Sequence, residues 1–352
     1  MKRTRVGKNT SKFKVFSEVE EIKSNVRTQA IIETDDSNEI LWHYTSVESA
    51  VSILQSGQIW ASQLGSMNDS QEISFPLHTI RDYILDAMDN ASYLYIKGID
   101  DVDPSEFEFD KQYLRDFLYY HPDLKPDRLY PYELNLYASC FCAERDSTVQ
   151  WHGYASNSGV ALGFDKHKLR SAIKTQKDFS LKEVVYPDSF NEIQEDITSR
   201  FTQTISTGCD IWSAAYQILF DYLPVLKSAH FAHEKEWRVV LTQPWQDLDH
   251  SSDVNSANAA QWARNHGIKY RVNGSLLIPY VAINLGGSGN RMMPALRSVL
   301  LGPTNSDIQQ WKPFLQQLGY KNVVIVNSGE SESVQENSVT IEFSNSPLRS
   351  IR

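Results

Sequence analysis

The stretch from Leu41 to Trp60, LWHYTSVESAVSILQSGQIW, constrains the fold most, because it contains a complete strand-turn-helix unit. Its first five residues are apolar or aromatic except for His43 and Thr45, and this composition predicts a strand. Ser46 predicts the N-cap of a helix with apolar residues at helical spacing, and Gly57 predicts its end. We therefore expect a strand that carries polar side chains and is followed directly by an amphipathic helix.

The rest of the chain alternates between strand-like and helix-like patterns. Strands are predicted at residues 134–142, 159–164, 182–186, 231–241 and at several places in the last third of the chain. Helices are predicted at residues 73–89, 111–120, 190–220, 293–298 and 308–318, with an exposed acidic insertion at 98–110 and a loop at 247–260. Because residues 134–142 and 159–164 are close in sequence, we expect these two strands to be neighbours in one sheet.

Composition and charge limit the class of protein. A formal net charge of -10 argues against sequence-independent binding to long nucleic acid, although it leaves room for a local basic groove. The three cysteines show no C-x-x-C spacing, so we expect no metal site, and Cys140 and Cys142 are interpreted as a reduced, buried pair.

The N-terminal sequence and the lengths of the apolar runs indicate the cellular location and the domain organisation that we expect. The basic N-terminus has no apolar core, and no run approaches the ~20 apolar residues of a membrane helix. We therefore expect a cytoplasmic protein with no membrane partner. Residues 1–38 are interpreted as a flexible lead, and residues 39–350 as a single elaborated domain.

His43 and Thr45 point to one face of the first predicted strand, and Trp42 and Tyr44 point to the other. A histidine and a threonine side by side on one face of a strand can both form hydrogen bonds to a ligand. The alternative interpretation is a buried histidine whose hydrogen bonds are satisfied within the protein.

Glu234, Glu236 and Arg238 fall on one face of the strand predicted at 231–241. Two carboxylates at this spacing lie about 7 Å apart and can divide roles, one steadying a developing cation and one directing an acceptor. The alternative is an exposed edge strand in which Glu236 and Arg238 form an ion pair.

Two further groups are ambiguous at this level. Asn68, Asp69 and Glu72 are candidates for the site. Alternatively, Asp69 or Ser70 caps the following helix and Glu72 completes a capping box. Trp151 and Tyr154 either stack on a flat ring or anchor the core.

Taken together, these motifs resemble an uncharacterised bacterial family, domain of unknown function 2971. The resemblance covers residues 39–350 and is carried by H-Y-T at 43–45, N-D-x-x-E at 68–72, S-C-F-C at 139–142, W-x-x-Y at 151–154, G-V-A-L-G-F at 159–164 and E-x-E-W-R at 234–238. L-L-G-P at 300–303 and S-x-S-P-L-R at 344–349 are also similar to the end of that family.

A more distant similarity is to ADP-ribosyltransferases, through H-x-T on the first strand and the I-L-x-x-G-x-I-x-x-S that follows it. This resemblance implies an α+β fold of two small, mostly antiparallel sheets, flanked by helices, with NAD as co-substrate in the cleft between them. It implies catalytic roles for Glu236 and Glu234. The cofactor contacts that it implies are His43, Tyr44, Thr45, Ser139, Trp151 and Tyr154. Arg238 has no obvious role in that family, and we add it as a residue that orients Glu236 or binds pyrophosphate.

The function that follows from this resemblance is NAD-dependent ADP-ribosyl transfer to a macromolecular acceptor, protein or nucleic acid, in a bacterial toxin or an antiviral defence effector. The alternatives are an NAD glycohydrolase without an acceptor and a non-catalytic binding or sensor module. The mechanism requires His43 and Thr45 to lie close to Glu236. It also predicts that Glu236→Gln nearly abolishes turnover and leaves the fold intact.

Overall fold

One mixed sheet of eleven strands runs through the part of the chain that the computed structural model describes. This part comprises residues 39–67, 72–98, 104–120, 136–176, 178–187, 190–242, 264–286, 292–326 and 338–347. The strands are β1 (Ile40–Thr45), β2 (Gln58–Gln63), β3 (Leu136–Cys142), β4 (Val160–Asp165), β5 (Phe179–Glu183), β6 (Glu236–Thr242), β7 (Lys269–Asn273), β8 (Leu276–Asn284), β9 (Leu296–Leu301), β10 (Val323–Ile325) and β11 (Val339–Phe343). The flexible lead predicted at 1–38 and the loop predicted at 247–260 lie outside the described residues.

The helices flank this sheet. They are α1 (Val47–Ser56), α2 (Ser74–Gly98), α3 (Pro104–Tyr120), α4 (Thr148–Tyr154), α5 (Lys166–Lys174), α6 (Phe190–Ser206), α7 (Ile211–Tyr222) and α8 (Trp311–Gln317), with short 3-10 helices at Leu64–Ser66 and Ala229–Glu234. Within the described residues, no helix has the length and apolar character needed to cross a membrane.

The first strand and helix form as their local sequence predicts. Ser46 caps α1 by accepting a hydrogen bond of 3.1 Å from the backbone N–H of Ser49. Gly57 ends the helix with a φ of 67°, a left-handed conformation in which glycine has no steric penalty. The predicted strand-turn-helix unit is therefore confirmed.

The sheet is forked at β3. The main order is β10-β11-β9-β4-β1-β3-β2-β8-β7, and β6 pairs with the other edge of β3 and with β5. Along one edge of β3, Cys142 pairs with Trp42 of β1, while Ala138 pairs with Ser62 of β2. Strands β1 and β2 therefore diverge around residues 139–141.

Each face of the sheet carries its own core. One face packs against α1, α5 and α8 and includes Phe141 of β3 and Trp237 of β6. The opposite face packs against α2, α6 and α7 and includes Ala138 and Val240 of the same two strands. Because side chains alternate along a strand, this division assigns every residue of β3 and β6 to one face or the other. Trp151 of α4 packs against Trp42 and Cys142 on the second face.

The predicted fold class, mixed α+β, is confirmed, but its arrangement differs. The structure has one continuous sheet instead of two small sheets, because β3 pairs with β1, β2 and β6 at once. Strands β3 and β4, predicted to be neighbours, are separated by β1, which pairs with both. In addition, β9, β10 and β11 run parallel to each other.

Two helix predictions need correction. Residues 293–298 were predicted as helical, but Leu296 and Ser298 pair with Phe164 and Gly163 of β4, so long-range strand pairing overrides the local spacing. The insertion predicted at 98–110 is partly helical, because α3 already begins at Pro104, a residue well suited to the first helical position.

Candidate functional site

Five ionisable side chains form a buried cluster on the second face of the sheet. Glu72 precedes α2, Lys227 follows α7, Glu234 ends a 3-10 helix, and Glu236 and Arg238 lie on β6. Their exposed fractions lie between 0% and 7%. Ionised groups are buried to this extent only when charge partners and hydrogen bonds compensate for lost hydration.

Arg238 is the centre of the cluster. Its Nε and Nη2 donate to the two carboxylate oxygens of Glu236, each at 2.9 Å. Nη2 also lies 2.9 and 3.0 Å from the two oxygens of Glu72, and Nη1 donates to the Pro224 carbonyl at 2.9 Å. Burial alone would lower the pKa of Arg238, but the adjacent carboxylates outweigh it and raise that pKa. The guanidinium is thus permanently charged, and each of its three nitrogens has a protein partner.

Lys227 is the second cation and contacts all three carboxylates. Its Nζ lies 2.6 Å from Glu234, 3.3 Å from Glu72 and 3.4 Å from Glu236. Burial opposes its charge, yet the carboxylates raise its pKa above the ordinary lysine value. Sequence analysis missed Lys227, because a single lysine between two helices carries no pattern that identifies it.

Glu236 is held as an anion. Burial by itself would raise its pKa, but Arg238 and Lys227 outweigh burial and lower it. The Cys140 thiol also hydrogen-bonds to Glu236, and burial together with this carboxylate raises the pKa of Cys140 well above its ordinary value. Strand β6 lies between β3 and β5, so the alternative of an exposed edge strand is wrong, although the predicted Glu236–Arg238 ion pair is present.

Glu234 is the carboxylate closest to the protein surface. It does not lie on the strand as predicted, since the chain leaves the 3-10 helix through Lys235 at a φ of 44° before β6 begins. Its Oε2 is held by Lys227, while Oε1 accepts a hydrogen bond of 3.3 Å from the Tyr154 hydroxyl. Tyr154 is 43% exposed. Glu234 therefore connects the buried cluster to solvent through one aromatic side chain.

The two aromatic candidates on α4 have different environments. Trp151 is completely buried, packs edge-on against Tyr44 with ring centroids 4.9 Å apart, and donates from Nε1 to Asp146 at 2.7 Å. It is a core anchor. Tyr154 instead combines exposure with contact to Glu234, so it is the aromatic residue that is available to a ligand.

His43 and Thr45 leave β1 on the face opposite the cluster. Trp42 pairs with Cys142, which in turn pairs with Glu236, so these three side chains share one face and His43 takes the other. The His43 ring accordingly lies 5.6 Å from that of Phe141, and its Nδ1 donates to the Cys140 carbonyl at 2.8 Å. The predicted proximity of His43 and Thr45 to Glu236 on one face is not observed.

The remaining candidates are distributed as follows. Tyr44 lies on the face of the cluster, but its hydroxyl accepts from the Ser147 amide at 2.9 Å and donates to the Glu144 carbonyl at 3.0 Å. Ser139 is buried, and its hydroxyl lacks a hydrogen-bond partner in the described structure. Asn68 and Asp69 lie outside the described residues, whereas Glu72 from the same motif contacts Arg238 directly.

Comparison with known proteins finds one family model that matches part of the chain. The model of a family described as a protein of unknown function (DUF2971) matches residues 150–239, from α4 to β6. This segment contains Tyr154, Lys227, Glu234, Glu236 and Arg238. No curated protein and no solved structure matches the chain. The segment that provides four of the five cluster residues is thus similar to a protein family whose function is unknown.

Proposed function

We propose that the protein is an NAD-dependent ADP-ribosyltransferase that modifies a macromolecular acceptor, with Glu234 as the carboxylate that meets the substrate. The observation that carries this proposal is the position of Glu234 beside the half-exposed ring of Tyr154. Lys227 holds the other oxygen of Glu234 at 2.6 Å, which fixes the orientation of the carboxylate before any substrate arrives.

In the proposed reaction, the bond between the nicotinamide nitrogen and C1′ of its ribose breaks, and the bonding electrons leave with nicotinamide. An acceptor oxygen or nitrogen forms the new bond to C1′ and loses its proton to Glu234. The negative charge of Glu234 stabilises the cation that develops on the ribose, and a single well-placed group of this kind is worth ~3 to 4 kcal/mol. Tyr154 provides a ring on which nicotinamide can stack.

One feature of the fold supports the proposal. Strand β3, which carries the middle resemblance motif, pairs with both β1 and β6, which carry the other two motifs. The proposal does not use His43 or Thr45, because their side chains leave the other face. Glu236 and Arg238 become positioning residues that hold the cluster together.

The test is incubation of purified protein with NAD labelled on its adenylate, together with cell extract. Transfer of label to protein or nucleic acid, lost in Glu234→Gln and kept in Glu195→Gln, is the expected result. Glu195 is a matched control because it is an exposed glutamate on α6, away from the cluster. Release of free ADP-ribose alone would identify a glycohydrolase and contradict the acceptor.

A non-catalytic binding module is the second candidate, and a specific observation favours it. Both oxygens of Glu236 and all three nitrogens of Arg238 already have protein partners, which is typical of a structural network. If wild-type protein binds NAD in calorimetry without consuming it, this second candidate replaces the transferase.

A further inference from the structure

A second surface, away from the ionic cluster, combines an exposed aromatic ring with unpaired cations. Trp60 of β2 is 45% exposed, and its ring stacks on that of Tyr280 in β8 with centroids 4.4 Å apart and planes inclined by 29°. Tyr280 is nearly buried beneath it. The Tyr280 ring therefore holds the indole in place, and part of the indole remains accessible to solvent.

Two basic residues lie on the same face of the sheet. Tyr280 pairs with Ser62 on one side and with Lys269 of β7 on the other, and this register assigns Lys269 and Arg271 to the face of Trp60. Arg271 Nη2 donates to the Ser62 hydroxyl at 3.2 Å. Within the described ranges, neither Lys269 nor Arg271 has a carboxylate within 4.0 Å. Lys269 is exposed, and Arg271 is half-buried with its Nε closed to solvent.

We propose that the surface formed by Trp60, Lys269 and Arg271 binds single-stranded nucleic acid, with a base stacked on Trp60 and phosphates on the two cations. An aromatic platform beside a row of basic side chains is the combination that binds unpaired bases and their backbone. The surface lies on β2, β8 and β7, at the β7 edge of the sheet, and an extended strand can follow such a surface.

Charge supports the same occupant. The chain carries a formal net charge of -10, and Lys269 and Arg271 place two positive charges beside Trp60. Such a basic pair is complementary to a phosphate backbone, and it is a candidate for the local basic groove that the overall charge allows. The inference does not depend on the proposed NAD chemistry, because binding to this surface is measured in the absence of NAD and does not involve Glu234.

The test is fluorescence anisotropy with a labelled single-stranded DNA or RNA of about 12 nucleotides, at about 50 mM salt. Trp60→Ala is expected to weaken binding about 5-fold to about 100-fold. Tyr270→Ala is the matched control, since Tyr270 is an exposed aromatic residue of the same hairpin on the opposite face. It should leave the affinity within about 2-fold. Circular dichroism establishes that both variants are folded.

The salt dependence tests the phosphate contacts. Each of Lys269→Ala and Arg271→Ala should reduce the slope of log affinity against log salt by about 0.7. The proposal is overturned if wild-type protein does not bind either strand, if Trp60→Ala and Tyr270→Ala behave alike, or if the slope is unchanged in both charge variants. Equal affinity for a duplex of the same sequence, or binding of NAD at Trp60 in place of the strand, would also overturn it.

Discussion

Glu72 and Arg238 lie 166 positions apart in the chain and are joined by hydrogen bonds of 2.9 and 3.0 Å in a region closed to solvent. Glu72 stands directly before α2, and Arg238 is in the middle of β6. The contact therefore ties the segment before the longest described helix to a central strand. It also brings the N-D-x-x-E and E-x-E-W-R motifs together, which makes the cluster one unit.

Arg238→Met should lower the free energy of unfolding by about 3–5 kcal/mol, because it leaves Glu72, Glu234 and Glu236 buried with Lys227 as the one cation that remains beside them among the described residues. Urea unfolding followed by circular dichroism measures the loss. Arg145→Met is the control, since Arg145 pairs with Glu342 at the surface and should cost less than about 1 kcal/mol. Equal effects of the two substitutions would contradict a buried network.

Glu234→Gln and Glu236→Gln should separate activity from stability. Glu236→Gln weakens two hydrogen bonds from Arg238 and should destabilise the fold by about 3 kcal/mol or more, in contrast to the sequence-based expectation of an intact fold. Glu234→Gln keeps an acceptor for Lys227 and should cost only about 1–2 kcal/mol, yet it should remove NAD turnover. Measuring NAD consumption and urea unfolding on both variants tests whether activity and stability depend on different glutamates. Full turnover in Glu234→Gln would exclude its proposed role.

The protein should lose stability on mild acidification partly through His43. Burial lowers the pKa of His43 below its ordinary value of 6.5, although the hydrogen bond to the Cys140 carbonyl opposes this shift. Below pH 6.5 the unfolded chain therefore takes up the proton first, so this contribution is complete above pH 6.5 and declines as pH falls. His43→Asn keeps a donor for the carbonyl and does not titrate.

Unfolding free energies of wild type and His43→Asn, compared from about pH 8 to about pH 5, provide the measurement. The wild-type curve should fall more steeply below pH 6.5. Parallel curves would show that His43 keeps an ordinary pKa in the folded protein.

Two glycines near α4 should respond in opposite directions to alanine. A Cβ at Gly159 would lie 2.2 Å from the Thr45 carbonyl oxygen and 2.7 Å from that of Ala155, so the backbone must shift, at a cost of about 1–3 kcal/mol. A Cβ at Gly153, inside α4, meets no atom within 4 Å, and Gly153→Ala should stabilise the helix by about 0.5–1 kcal/mol. Thermal unfolding of both variants tests the pair. A stable Gly159→Ala variant would contradict this close approach of Gly159 to the Thr45 and Ala155 carbonyls.

Residues that are close in sequence were predicted well. The Ser46 cap and the Gly57 stop of α1 depend on hydrogen bonds and dihedral angles within a few residues, and both are observed. The division of β1 into a His43 face and a Trp42 face is likewise a local property, because alternation holds along any strand. For the same reason, Glu236 and Arg238 were correctly assigned to one face.

Residues that are far apart in sequence could not be placed in this way. Which face of β1 meets Glu236 depends on the pairing of Trp42 with Cys142 and of Cys142 with Glu236, and each of these pairings joins residues about 100 positions apart. Contacts between distant segments also separate β3 from β4 by β1. They likewise bring Lys227 into the cluster.

The amino-acid sequence by itself determined the strand-turn-helix unit, the faces of individual strands and the residue types of the candidate site, since each depends on local geometry. Only the tertiary structure decided that Glu72 and Lys227 join Glu236 and Arg238, that His43 turns away from them and that Glu234 contacts the exposed Tyr154. The physical reason is that burial of charge is favourable only when partners from distant segments arrive together, and no local pattern encodes their meeting.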